Sequence, residues 1–147
     1  AELLAAGVIE YAQLHGSEDA AYIEALRKRT ALLGKTAKII KTVKVGSAAD
    51  LENISEIDCE YLLLDAWSKE GEAAGGNGRT FDWSLIKALE KPFFLAGGLT
   101  VDNVQQAVRM TSPYGIDASS CMETEDCKDL NKMKAFAQAV RVTETNN

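Results

Sequence analysis

Apolar residues gather in five short runs: "IEYAQL" (9–14), "AKIIKTVKV" (37–45), "EYLLLD" (60–65), "PFFLA" (92–96) and "YGIDAS" (114–119). Each is rich in Ile, Val, Leu, Phe or Tyr and is bounded by polar or Gly-containing segments, the pattern of buried strands. Helical spacing fills the intervals. "SEDAAYIEALRKRTALLG" offers Ser17 and Asp19 as caps, Tyr22, Leu26 and Leu33 as an apolar stripe, and Gly34 as a stop. "FDWSLIKALEKP" predicts a helix capped by Asp82 and ended by Pro92, and "TVDNVQQAVRMTSP" and "CKDLNKMKAFAQAVR" predict two more. "AADLENISEI" is a short, poorly periodic helix, "AELLAAG" opens as if already helical, and 142–147 is a polar tail expected to fray.

Alternating strands and helices imply an α/β fold with parallel strands joined by right-handed crossovers. Two architectures fit the order: part of a (β/α)8 barrel, or a doubly wound sheet of flavodoxin type. Both put ligands at the C-terminal ends of the strands. With 147 residues, no internal repeat and no linker, the chain is expected to be a single domain.

Charge narrows the partners. A net charge of −6 and a pI near 4.8 offer no general attraction to nucleic acid or to an anionic membrane. Local backbone dipoles can still hold a small anion. Cys59, Cys121 and Cys127 have no metal-type spacing and fit no closed disulfide set, so a reduced, cytoplasmic setting is expected.

Candidate chemistry then follows the strand ends. Gly97 and Gly98 in "LAGGLTVDN" either expose backbone amides to a phosphate, helped by the helix after Thr100, or only make a tight turn. Ser119 and Ser120 after the next strand add donors. Asp65 ends "EYLLLD", where a carboxyl at an apolar pocket mouth can act as an acid, or can be a cap or one half of a salt bridge. The stretch "GEAAGGNG" that follows, with Gly71, Gly75, Gly76 and Gly78, suits a loop that closes over a substrate. His15 is the lone histidine, so it serves substrate or packing rather than a metal. Lys41, among Ile39, Ile40, Thr42 and Val43, must snorkel, pair or face the pocket. The "GKT" at 34–36 has Arg29 where a P-loop needs its leading Gly.

In this order and spacing, "QLHG", "LLLDA", "GGNGRTFDWSLI", "LAGGLTVDNV", "GIDASS" and "CKDLNKMKAF" resemble the phosphoribosylanthranilate isomerases, from about Val8 to Arg141. The resemblance implies a (β/α)8 barrel and an Amadori rearrangement of an aminoaldose to an aminoketose, with a sugar-phosphate substrate and no cofactor or metal. Asp65 matches the general acid. Gly97, Gly98, Ser119 and Ser120 match the phosphate cradle, and Asp117 and His15 match substrate-facing strand ends. Gly75 to Gly78 match the loop beside the anthranilate ring.

The resemblance also implies a partial barrel: these five βα units correspond to strands four to eight, and the first three strands are missing. The family's general base, a cysteine in a "K-I-C-G"-like first strand, has no counterpart here. Nor has an arginine near the anthranilate end. Cys59 precedes its strand at the wrong end for chemistry, and Cys121 replaces a glycine usual in the family's "S-S-G" turn. The open edges would then be covered by an N-terminal segment or another chain, and this chain alone would be inactive. The alternative is a non-catalytic half-barrel that binds phosphate or self-associates.

Overall fold

The computed structural model describes residues 1–66, 80–87 and 89–144. Five strands form one parallel sheet in sequence order: β1 (Tyr11–Leu14), β2 (Lys38–Val45), β3 (Tyr61–Ala66), β4 (Phe93–Leu95) and β5 (Gly115–Ile116). Neighbours in sequence are neighbours in space, as barrel βα units require and a doubly wound 2-1-3-4-5 order does not.

The helices are α1 (Glu2–Ala5), α2 (Ala20–Leu32), α3 (Val104–Thr111) and α4 (Leu130–Glu144). Ile39 and Val45 on β2, Leu62 and Leu64 on β3, and Leu95 on β4 are wholly buried and cluster with Ile23 of α2, Val104 and Ala107 of α3 and Phe136 of α4. By strand alternation the other face carries Thr42, Lys44, Tyr61, Leu63, Asp65 and Phe94. Leu63 and Thr42 are buried there too, so both faces are covered and β3 reads as one apolar run. At the N-terminal end of that face Tyr11, Tyr61, Phe94 and Tyr114 stack edge to face or tilted, with centroids 4.8 to 5.7 Å apart. A Cβ on Gly115 would lie 2.8 Å from the Phe94 ring, so only glycine fits beside this cluster.

Several elements differ from expectation. Among the described residues of 81–92 the expected helix gives way to a 3-10 turn, Trp83–Leu85, capped by Asp82, which accepts from Ser84 N–H at 2.9 Å. Phe81 and Trp83 are both buried, an i, i+2 spacing that a helix cannot serve. The Lys91 ammonium is tied to the Ile57 carbonyl, and Pro92 disfavours helix at Lys91. "AADLENISEI" breaks into two 3-10 turns because Asn53 is left-handed between them.

On α2 the cap is Asp19, which accepts from Tyr22 N–H at 2.9 Å. Its buried residues are Ile23 and Thr30, while Tyr22 and Leu33 are half exposed. A hairpin absent from the sequence reading, β6 (Glu123–Thr124) with β7 (Cys127–Lys128), precedes α4. Asp129 caps α4 by accepting from Asn131 and Lys132 N–H. The helix runs to Glu144, three residues into the expected frayed tail, because Ala-, Lys- and Arg-rich sequence sustains it.

Candidate functional site

The C-terminal ends of the five strands gather His15, Lys44, Asp65, Gly97, Gly98, Asp117, Ser119 and Ser120 at one end of the sheet. In-register pairing sets Lys44 beside Asp65. Lys44 Nζ donates to Asp65 Oδ2 at 2.5 Å, and the Asp65 side chain keeps only 19% of its surface exposed. The Asp65 side chain is thus held by an ammonium at the end of β3 rather than set in apolar surroundings, because the neighbouring strand brings Lys44 to it.

Asp65 Oδ1 lies on the side of Gly97. A Cβ at Gly97 would meet Ala66 N at 2.4 Å and Asp65 Oδ1 at 2.8 Å, and φ there is +83°. The bare backbone of Gly97 is therefore demanded by the end of β3, which is the tight-turn reading. The ladder bond from Ala96 N–H to the Leu64 carbonyl precedes the two glycines. Asn103 closes the following turn: its Oδ1 accepts from Thr100 N–H at 2.8 Å and its Nδ2 donates to the Gly98 carbonyl at 3.0 Å. Helix α3 starts only at Val104, whose amide bonds to Thr100, so the helix end is set back from the glycines.

After β5, Asp117 N–H donates to the Leu95 carbonyl, which fixes this junction beside that of β4. The Ser119 hydroxyl is already engaged, accepting from Lys128 Nζ at 2.7 Å and donating to Glu123 Oε1 at 3.2 Å. Lys128 also pairs with Glu123 at 2.5 Å and holds that carboxylate below its ordinary range. Ser120 begins a 3-10 turn, Ser120–Met122, and is exposed. On the other side His15 Nδ1 shares a hydrogen bond with Thr42 Oγ1 at 3.2 Å. Among the described residues no hydrogen bond joins Asp65 to His15, Asp117 or Ser119. Gly71, Gly75, Gly76 and Gly78 lie outside the described residues.

Lys41 resolves to pairing. On the helix-facing side of β2 it donates to the Gly16 carbonyl at 2.7 Å and to Glu18 at 2.9 Å, and so ties down the loop that follows His15. That hydrogen bond lowers the Glu18 pKa. Burial pushes the Cys59 and Cys121 thiols up. Cys59 sits in the core cluster and Cys121 packs against it.

Sequence reasoning missed Lys44, Asn103, Lys128 and Glu123. For Lys44 a signal existed, since it stands two residues beyond Thr42 and on the same face.

Among the described residues no group of three or more His, Cys, Asp or Glu could hold a metal ion, and no helix is long and apolar enough to cross a membrane. A family profile described as N-(5′phosphoribosyl)anthranilate isomerase matches residues 2–139.

The chain belongs to the N-(5′-phosphoribosyl)anthranilate isomerase family. It is 41% identical over 148 residues to the isomerase of Acetivibrio thermocellus, covering 96% of this chain and 66% of that protein. It is 35% identical over 135 residues to that of Caldanaerobacter subterraneus subsp. tengcongensis, covering 90% of this chain and 62% of the relative. The crystal structure of the Thermotoga maritima phosphoribosyl anthranilate isomerase superposes with a TM-score of 0.77 at 29% identity, over 96% of this chain and 66% of that one. The chain thus spans 62% of one isomerase and 66% of the other.

Proposed function

We propose that this chain carries the acid and phosphate-holding part of a phosphoribosylanthranilate isomerase of tryptophan biosynthesis. The observation that carries the reading is the Asp65 carboxyl held by Lys44 on the side of the Gly97 turn, beside the loops after β4 and β5 that would hold a sugar phosphate. In this reading Asp65 donates a proton to the furanose ring oxygen. The C1′–O bond breaks with its electron pair left on that oxygen, and the anilino nitrogen lone pair forms the Schiff base. A base then removes the C2′ proton, and the enolamine tautomerises to the ketone. The backbone amides of Gly98, Ser119 and Ser120, with the Ser120 hydroxyl, supply the phosphate donors, and His15 and Asp117 face the substrate.

The base is assigned to strands outside this chain. Cys59 is buried before β3, Cys127 lies on the hairpin and Cys121 packs against the core, so none stands at the C-terminal end of a first strand where the base belongs in this reading. This supports the view of five βα units as strands four to eight of a barrel, inactive without the rest. The second reading, a half-barrel that self-associates or only binds phosphate, draws on the exposed Leu3, Val8 and Leu32 beside the β1 edge.

Turnover of phosphoribosylanthranilate, followed by loss of anthranilate-type fluorescence, tests both. The chain supplemented with strands one to three of a relative is expected to be active, and Asp65→Asn to lower kcat by about 100-fold or more. Full turnover by Asp65→Asn would eliminate Asp65 as the acid. Concentration-dependent size with no turnover under any supplementation would favour the half-barrel.

A further inference from the structure

Two lysines on β2 serve opposite faces of the sheet. Lys41 is 10% exposed and holds Glu18, whereas Lys44 is 40% exposed and holds Asp65. We propose that Lys44 is a positioning residue for the acid, fixing the orientation in which Asp65 meets the sugar ring oxygen. The proposal rests on the isomerase reading of Asp65 given above.

An aspartate at a strand end can turn its carboxyl about two bonds. Here one oxygen is held and the other faces the glycine turn after β4. Oδ2 is held by the Lys44 ammonium, and Oδ1 lies where a side chain on residue 97 would otherwise sit. Among the described residues Lys44 supplies the charged hydrogen bond to that carboxyl. When the carboxyl proton passes to the ring oxygen, a carboxylate remains. The ammonium at 2.5 Å balances that charge as the C1′–O bond breaks. The pair therefore orients the donor and stabilises what the donor becomes, while making no demand on the phosphate end.

The test is a double-mutant cycle in the enzyme completed by the barrel strands of a relative, with kcat, KM and melting temperature read together. Lys44→Met is expected to lower kcat by about 10- to 100-fold with KM within about threefold. Lys44→Arg, which keeps the charge and a donor, restores most of kcat. Lys44→Met adds nothing to the loss in an Asp65→Asn background, because it acts through that residue. If Lys44→Met melts early, Lys44→Gln replaces it under the same criteria.

Normal kcat in Lys44→Met beside a dead Asp65→Asn would overturn the positioning role and leave the isomerase reading intact. So would fully additive losses. An active Asp65→Asn, or a completed barrel without turnover, removes the acid assignment and this inference with it.

Discussion

Gly97 combines two demands that a side chain cannot meet together. Its φ of +83° lies in the left-handed region, and its Cα faces the Ala66 amide so closely that a Cβ would sit 2.4 Å away. The Ala66 amide is backbone and cannot yield as a flexible side chain would. Gly97→Ala should therefore destabilise the protein by about 2 kcal/mol or more in urea unfolding, with an unchanged m-value. Asp65 and Gly97 were legible as candidates because each ends an apolar run, where a strand must deliver its next residue to the mouth. Lys44 was not. Lys38, Lys41 and Lys44 of β2 each pair with a carboxylate, and only the register with β3 reveals that Lys44 is the one set beside Asp65.

At the scale of elements, the hairpin between β5 and α4 is the clearest departure from sequence pattern. Its turn places Glu125 at φ 51° and Asp126 at φ 60°, two left-handed residues in succession as a type I′ turn requires, yet neither is glycine. Replacing the pair by Asn-Gly should stabilise the protein by about 0.5 to 1 kcal/mol, seen as a higher urea midpoint. No change is expected at the strand ends on β2 and β3. The strands β3 and β4 were readable from runs of Leu and Phe, because burial on both faces leaves little room for polar residues. The helix expected at 81–92 was not formed, because Phe81 and Trp83 are drawn into the core at a spacing foreign to a helix. Tertiary burial overrode local propensity there.

For the whole molecule, carboxylates dominate the response to acid. Glu18 and Glu123 are lowered by hydrogen bonds from Lys41 and Lys128, Asp50 by the Gly46 amide, Asp82 by Ser84, and Asp129 by Thr124. In each the folded chain releases its proton at lower pH than the unfolded chain. Their stabilisation is complete above the ordinary carboxylate range and is lost as pH falls through the folded values. The melting temperature should thus hold steady from about pH 7 to 5 and fall steeply below about pH 4. Raising the salt concentration should blunt the drop, since most of these groups lie at the surface.

The order of apolar runs, together with the turn and cap residues between them, determined by itself the α/β class, the parallel sheet and the end of the sheet where chemistry belongs. Period-two burial and the handedness of βα crossovers leave little alternative. Only the tertiary structure decided which charges meet. Lys44 reaches Asp65, Lys41 reaches Glu18 and Lys128 reaches Ser119 across contacts set by strand register and loop closure. Nearest-neighbour patterning along a chain carries no record of such distances.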